Sequence, residues 1–250
     1  MSLHLDFSDQ LATLRIDRAA KRNAFDLAMW HALPDLIRQA ADDPQVRLLV
    51  IRAADRGGAF SAGADIGELL ANKDDAQWRA VNQAAINRAQ YELARLPLPT
   101  LAFVEGDCVG GGCGIALACD IRVATSRARF GITPAKLGLV YPLHDVKLLT
   151  DLVGPGQAKR MLFTGALLPA EEAARIGLVE LIADSPDEVT DAILAASPHS
   201  VREVKRFVRR VLDGQVEDDA ETLRIFAEAF TGADFAEGTA AFTEKRRAEF

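Results

Sequence analysis

The spacing of hydrophobic positions changes from strand-like to helical near the start of the chain. Residues 3–17 alternate apolar and polar side chains around a polar turn at residues 8–10, which predicts a β-hairpin. Residues 23–41 carry apolar side chains three and four positions apart, which predicts a helix. Residues 48–53 and 100–104 are short apolar runs, and such runs are typical of buried strands.

The remaining pattern alternates strands with helices and then becomes mostly helical. Further strands are predicted at residues 121–124 and 128–132. Helices are predicted at residues 66–70, 76–96, 115–119, 146–153, 156–163, 170–176, 187–196, 201–213 and 218–231. Strands that alternate with helices indicate an α/β fold built from βαβ crossovers.

Composition narrows the possible partners and the compartment. The chain has 250 residues and a formal net charge of −7, which argues against nucleic acid as a partner. The sequence contains no apolar run long enough for a bilayer and no secretory signal in residues 1–10, so we expect a cytoplasmic protein without a membrane partner. Cys108, Cys113 and Cys119 fit no common zinc spacing. We therefore expect no metal site and interpret them as small buried hydrophobic residues.

Two glycine-rich turns each follow a predicted strand and lead into a helix. We call residues 57–65 the first glycine turn and residues 106–114 the second glycine turn. Turns without large side chains expose backbone N–H groups, and a helix N-terminus adds unpaired donors with partial positive charge. Two facing turns could hold a carbonyl oxygen that becomes an anion during reaction. Close packing of helix against strand, or a phosphate-binding turn, would explain the glycines equally well. The second glycine turn lacks the Lys-Ser or Lys-Thr of a Walker loop.

Several segments, in the right order along nearly the whole chain, resemble the enoyl-CoA hydratase/isomerase (crotonase) family. The segments are AFSAGADI at 59–66, VEG at 104–106, GGGC at 110–113, ACDIRVA at 118–124, KRNAF at 21–25, FTG at 163–165, AEEA at 170–173, GLV at 177–179, EG at 237–238, AF at 241–242 and EKR at 244–246. The resemblance implies an acyl-CoA-binding spiral of ββα units over residues 1–195. It also implies a helical C-terminal region over residues 196–250 that forms a homotrimer or a hexamer of paired trimers.

The resemblance also implies the ligand and the residues that contact it. The ligand would be an acyl-CoA, with no cofactor beyond the coenzyme A moiety of the substrate. By position, the N–H groups of Ala62 and Gly111 would hold the thioester oxygen. The other implied substrate contacts are the adenine-pocket residues Ala64, Asp65 and Ile66, the phosphate-side residues Lys21 and Arg22, the nucleotide-covering residues Phe242 and Lys245, and also Ala24 and Gly110.

The sequence departs from the family where its hydratases carry two catalytic glutamates. Gly114 and Pro134 stand at those two positions, and neither has a side chain that transfers a proton. A positioned acid or base typically contributes about 10² to 10⁴ in rate. Hydration by the usual two-glutamate mechanism is therefore not expected. Asp120, after the second signature, is interpreted as a structural partner of a helix or turn.

The loop at residues 130–141 is similar to that of the acyl-CoA decarboxylase branch, including methylmalonyl-CoA decarboxylase. That similarity implies that Tyr141 orients a leaving carboxylate or protonates the product. His144 and Asp145 are further polar groups that could fill the gap, and His144 could titrate near neutrality. We therefore expect an enzyme of this family that stabilises a thioester enolate. Decarboxylation, acyl-CoA binding without turnover, and a scaffold role remain as alternatives.

Overall fold

A computed structural model describes residues 2–250. The strands are β1 (Leu3–Ser8), β2 (Leu11–Ile16), β3 (Leu48–Ala53), β4 (Thr100–Val104), β5 (Asp107–Val109), β6 (Ile121–Ala124), β7 (Arg129–Gly131), β8 (Leu168–Pro169) and β9 (Leu181–Ile182). The helices are α1 (Leu27–Asp42), α2 (Ile66–Ala71), α3 (Ala76–Ala94), α4 (Gly111–Ala118), α5 (Leu143–Thr164), α6 (Ala170–Arg175), α7 (Asp187–Leu194), α8 (Pro198–Leu212), α9 (Ala220–Ala229) and α10 (Ala233–Glu244).

The strands form two sheets, and the predicted α/β fold is confirmed. The larger sheet has the order β1-β2-β3-β4-β6-β9, in which β1 and β2 form the predicted antiparallel hairpin and the later pairs are parallel. The smaller sheet has the order β5-β7-β8. Parallel neighbours require crossover connections, and helices supply most of them.

The core lies on both faces of the larger sheet, which explains the continuous apolar runs of β3 and β4. Leu49 and Ile51 belong to the main core with residues of α1 and α3. Leu48 and Val50 belong to a smaller core on the other face, against which apolar residues of α7 pack.

Asp120 holds the start of β4. Its Oδ2 accepts hydrogen bonds from the N–H (2.7 Å) and hydroxyl (2.9 Å) of Thr100, the first residue of that strand. The structural role predicted for Asp120 is thereby confirmed.

The three cysteines are free and buried, as predicted. Burial raises the pKa of the Cys119 thiol to about 12. A thiol that stays protonated behaves as a small hydrophobic side chain. No helix within residues 2–250 is long and apolar enough to cross a membrane.

Four details differ from the predicted elements. The second glycine turn contains the short strand β5, which pairs with β7, and α4 begins within it at Gly111. The helices predicted at 146–153 and 156–163 are one helix, α5, with a kink at Gly154 (φ 73°). The C-terminal helix α10 was not predicted. The two-residue strands β8 and β9 were also not predicted, because they are too short to give a period.

Candidate active site

The two glycine turns lie directly against each other. Ser61 N–H donates to Asp107 O (3.2 Å), and Val109 N–H donates to Ser61 O (2.9 Å). Gly63 has a positive φ of 95°, and a Cβ built on it would lie 2.9 Å from Val109 O and 3.1 Å from Gly111 N. A side chain at this position would therefore separate the two turns, and only glycine permits both the backbone angle and the contact.

The N–H of Ala62 is not available to a ligand, so the prediction for this residue is wrong. It donates to Arg22 O at 2.9 Å. The turn places the side chain of Ser61 against its own backbone, where Ser61 Oγ accepts from Gly63 N–H at 3.1 Å. Two consecutive N–H groups of the first glycine turn are therefore committed to holding the turn.

The next N–H, that of Ala64, is oriented differently. A short parallel bridge joins Phe25 to Ala64, through Phe25 N–H to Gly63 O (2.7 Å) and Asp65 N–H to Phe25 O (2.8 Å). A bridge of this kind uses the groups on either side of Ala64 and leaves its own N–H directed away from Phe25. Within residues 2–250, Ala64 N–H has no hydrogen-bond acceptor.

Gly111 provides a second N–H beside Ala64. It is the first residue of α4, so its N–H has no partner inside the helix and lies at the positive end of the helix dipole. A Cβ built on Gly111 would lie 3.8 Å from Ala64 N, so the two groups are neighbours. In the described part of the chain Gly111 N–H also has no acceptor. Two adjacent free donors from different turns can hold one carbonyl oxygen. Gly110, with φ 54°, turns the chain into α4.

Asp65 has a structural role beside this pair. Its side chain caps α2 by accepting from Gly67 N–H (2.9 Å), and Arg18 Nη1 lies 2.9 Å from its other oxygen. Burial alone would raise the pKa of Asp65, but the bonds from Arg18 and the helix N-terminus outweigh it and hold the pKa below the ordinary value. The side chain of Ile66 is exposed next to this cap.

The residues predicted to contact coenzyme A differ in how far they are exposed and in whether they already have a charged partner. The side chain of Lys21 is exposed, and its Nζ lies 4.0 Å from Asp65 Oδ2. Arg22 adopts a left-handed backbone conformation (φ 51°) and forms an ion pair with Asp107. The other predicted contacts are Ala24, which is buried, Phe242, which is exposed on α10, and Lys245, which ends α10 with φ 57°.

The place of the first family glutamate is surrounded by other polar side chains. A Cβ built on Gly114 would lie 2.1 Å from Gln90 Nε2, 2.9 Å from Asp145 Oδ2 and 3.0 Å from Tyr141 Oη. These side chains come from α3, from α5 and from the segment just before α5. Together with His144 they form what we call the buried polar cluster. Gln90 was missed by sequence reasoning, because nothing in its own segment signals contact with α4.

Tyr141 and Asp145 are both buried in this cluster, with 8% and 1% exposure. The Tyr141 hydroxyl donates to Gly110 O at 3.0 Å, which places it next to the second glycine turn. Burial and the nearby Asp145 carboxyl raise the pKa of Tyr141 well above its usual value. Burial also raises the pKa of Asp145, although His144, Gln90 and Tyr141 partly oppose that effect. Within residues 2–250, neither carboxyl oxygen of Asp145 has a hydrogen bond of good geometry.

His144 connects the cluster to the protein surface. Its Nδ1 lies 3.5 Å from Asp145 Oδ1, and its Nε2 lies 3.3 Å from Nη1 of Arg95. The guanidinium of Arg95 stacks over the Tyr91 ring, 3.8 Å from its centroid. At the second family position, Pro134 opens a 3-10 turn (Pro134–Leu137) and offers no proton-transferring group.

Comparison with known proteins identifies the fold and the family. The sequence profile of the family described as enoyl-CoA hydratase/isomerase matches residues 6–250. The chain belongs to this family. It is 34% identical to a crotonyl-CoA hydratase of Syntrophomonas wolfei, over 98% of this chain and 96% of that protein. It is 31% identical to a short-chain-enoyl-CoA hydratase of Clostridium acetobutylicum, over 98% and 95%.

Solved structures of the family agree with the fold. An enoyl-CoA hydratase/isomerase family protein from Hyphomonas neptunium superposes with a TM-score of 0.93 at 38% identity, covering 100% of this chain and 97% of that one. An enoyl-CoA hydratase from Bacillus anthracis superposes with a TM-score of 0.89 at 27% identity, covering 100% and 99%. The predicted crotonase-like fold is therefore confirmed.

Proposed function

We propose that this family member binds an acyl-CoA thioester and stabilises its enolate between the N–H groups of Ala64 and Gly111. The observation that carries the proposal is that these two donors come from two different turns, lie close together and have no acceptor among residues 2–250. An enolate oxygen carries more negative charge than the ground-state carbonyl, so fixed donors favour the transition state over bound substrate. Removing one such donor typically costs about 3 kcal/mol.

Tyr141 is the proposed side chain nearest the reacting carbon. Its hydroxyl lies beside Gly110 O and next to the place of the missing glutamate. The high pKa of Tyr141 keeps it protonated, which suits a group that hands a proton to an enolate. Because glycine and proline replace the two glutamates, the proposed reaction is enolate protonation or α-proton exchange, as in isomerisation or decarboxylation, and not two-glutamate hydration.

The coenzyme A moiety is proposed to lie along the exposed side of the first glycine turn. The positive charge of Lys21 and the exposed surface of Ile66 support this placement. Arg22, Phe242 and Lys245 are proposed as further contacts to the phosphates and the nucleotide. His144, which is packed inside the buried polar cluster, is better suited to supporting the cluster than to touching substrate.

A panel of crotonyl-, methylmalonyl- and aryl-CoA esters in D₂O, followed by mass spectrometry, tests the proposed function. We expect deuterium at the α-carbon or a product formed through the enolate. Tyr141→Phe should lower that rate by about 10² to 10⁴. Tyr91→Phe, at the other tyrosine of the chain, is the matched control and should keep the wild-type rate.

Each alternative gives a different result in the same panel. Loss of CO₂ from methylmalonyl-CoA would identify the decarboxylase. Tight binding with no deuterium in any ester would contradict the proposal and indicate a binding protein without turnover, and no binding would indicate a scaffold. Rapid hydration of crotonyl-CoA, the substrate in the name of one relative, would contradict our interpretation of Gly114 and Pro134.

The proposed assembly is a homotrimer or a pair of trimers. Apolar side chains that are more than half exposed occur on α8, on α9 and its C-terminal cap, and on α10, and exposed apolar patches can mark subunit interfaces. They are Val204, Val208, Val211, Leu223, Phe226, Phe230 and Phe242. Light scattering should give three or six times the chain mass of 27.0 kDa, and a mass of one chain would contradict the proposed assembly.

A further inference from the structure

The Asp145 carboxyl is buried without the hydrogen bonds that a structural carboxylate usually has. Its exposure is 1%, and within residues 2–250 neither oxygen accepts a bond of good geometry. Burying a polar group without such bonds costs stability, and burying a charge costs more. A carboxyl with a purely structural role would be expected to look like Asp120, whose Oδ2 accepts two bonds from Thr100. The arrangement around Asp145 therefore needs another explanation.

The groups around Asp145 can support both its neutral and its ionised form. It lies in the first turn of α5, where the helix dipole favours a negative charge. The Gln90 amide nitrogen, the Tyr141 hydroxyl and Asp145 Oδ2 all lie within 3.0 Å of the position that a Cβ on Gly114 would occupy. The thiols of Cys113 on α4 and Cys108 on β5 are further titratable groups near Tyr141. Dipoles favour the charged form and burial favours the neutral form, so the carboxyl can exist in both.

Arg95 determines which nitrogen of His144 carries the proton. A guanidinium has donors and no acceptor, so the Nε2 atom that faces Arg95 Nη1 at 3.3 Å must accept. The proton of the neutral ring then resides on Nδ1, which lies 3.5 Å from Asp145 Oδ1. His144 therefore presents an N–H within 3.5 Å of the carboxyl, and this group can form a hydrogen bond to Asp145 when the carboxyl becomes ionised. This arrangement favours transient ionisation of a buried acid.

We propose that Asp145 is the proton store of this active site and acts on the substrate through the Tyr141 hydroxyl. The inference rests on the proposed function, because it assigns the second half of the proton transfer that enolate chemistry requires. When the enolate is protonated, a C–H bond forms as the Tyr141 O–H bond breaks. In the same step Tyr141 takes the proton of Asp145, which becomes the carboxylate. Removal of an α-proton follows the same path in reverse, and Tyr141 stays neutral at both ends.

The positions of the residues also explain how the site can work without a glutamate on α4. A glutamate at position 114 would start from a Cβ only 2.1 Å from Gln90 Nε2, so Gln90 occupies the room it would need. The carboxyl is instead delivered from α5, and Asp145 Oδ2 lies 2.9 Å from that same Cβ point. In this proposal Asp145 exchanges protons with Tyr141 without touching the substrate, and Tyr141 is the group that contacts the substrate.

The test compares Asp145→Asn and Asp145→Glu with wild type in α-deuterium exchange of a bound thioester as a function of pH. Asp151→Asn, on the same helix and paired with Lys147, is the matched control. In wild type the exchange rate should rise with pH and level off above the pKa of Asp145, which lies above the usual 3.8. Asp145→Asn should lower the rate by about 10² or more and remove that inflection. Asp145→Glu should restore part of the rate and retain an inflection, whereas the control should behave as wild type.

A second measurement, urea unfolding across pH, needs no turnover. The raised pKa means that the folded protein keeps the Asp145 proton after the unfolded chain has lost it. The resulting stabilisation is complete below pH 3.8 and disappears as pH rises through the folded pKa. Asp145→Asn carries no such charge, so its midpoint relative to wild type should shift upward over that range, with no such shift for Asp151→Asn.

The outcomes separate the two proposals. Absence of exchange in wild type would refute the proposed enolate chemistry, and this role for Asp145 with it. If wild type exchanges and Asp145→Asn keeps the same rate and pH profile, only the inference about Asp145 is overturned. A midpoint difference that does not change with pH would also overturn it, because Asp145 would then not hold its proton in the folded state.

Discussion

The contact between Gly114 and Gln90 gives a stability prediction that depends directly on the buried polar cluster. Replacing Gly114 with alanine adds one methyl group to the interior of α4. In a helix with free space, this substitution stabilises by about 0.5–1 kcal/mol, because glycine loses more backbone entropy on folding. At this position, however, the new carbon would lie 2.1 Å from Gln90 Nε2, 2.9 Å from Asp145 Oδ2 and 3.0 Å from Tyr141 Oη.

The steric cost should exceed the gain in helix propensity. Non-bonded carbon contacts are optimal at about 3.5–4.0 Å, so the Gln90 amide would have to move by more than about 1 Å. Gln90 is fully buried, and its neighbours would have to move with it. Overpacking of this kind typically costs about 1–3 kcal/mol. We therefore expect Gly114→Ala to lower the free energy of unfolding by about 1–2 kcal/mol.

Urea unfolding followed by far-ultraviolet circular dichroism measures this difference at one fixed protein concentration. Gly156→Ala is the matched control, because a Cβ on Gly156 in α5 meets no atom within 4 Å. It should leave stability unchanged or raise it by up to about 1 kcal/mol. In a Gln90→Ala background the cost of Gly114→Ala should fall by about 1 kcal/mol, as expected for residues in contact. If Gly114→Ala were as stable as Gly156→Ala, Gln90 would not occupy the place of the missing glutamate.

Three further predictions concern the parts around the site. Lys21→Gln should weaken binding of a CoA thioester several-fold in calorimetry and leave binding of the matching pantetheine thioester unaffected, because only the CoA ester carries the nucleotide phosphates. An equal loss of affinity for both thioesters would show that Lys21 does not contact these phosphates. Asp120→Ala should lower the free energy of unfolding by about 2 kcal/mol, because it removes the acceptor of the Thr100 N–H and hydroxyl. Activity per folded molecule should stay constant, and a variant that is stable but inactive would contradict the structural role. Asp65→Asn should be less stable than wild type at neutral pH, because the bonds from Arg18 and the α2 N-terminus lower the pKa of Asp65 in the folded state only. The difference in unfolding free energy should shrink as pH falls below 3.8. A difference that does not depend on pH would refute the lowered pKa.

The sequence predicted the parts of the molecule that local patterns control. The hairpin of β1 and β2 has an alternating pattern, β3 and β4 are continuous apolar runs, and α3 has clear boundaries. All of these elements form where predicted. The two glycine turns were also identified correctly as segments that face each other. These features depend on nearby residues or on family motifs that are well marked in the chain.

The identity of the free donors and of the polar neighbours could not be predicted, because both depend on non-local contacts. Whether Ala62 or Ala64 presents its N–H depends on which carbonyls of the segment around Arg22 and Phe25 lie alongside the turn. Spacing within the turn does not contain that information. Likewise, Gln90 reaches Gly114 only because α3 packs against α4. A polar residue in the middle of a helix that lacks a clear apolar face gives no sign of which element it contacts.

The central claim, that Ala64 and Gly111 hold and polarise a thioester oxygen, is tested most directly on the carbonyl group itself. A thioester labelled with ¹³C at the carbonyl carbon can be bound to the protein and followed by isotope-edited infrared and NMR spectroscopy. Two fixed N–H donors should lower the carbonyl stretching frequency of the bound ester and move its ¹³C resonance downfield relative to the free ester. If the ester binds stoichiometrically and both signals match those of the free ester, these N–H groups do not form an oxyanion hole.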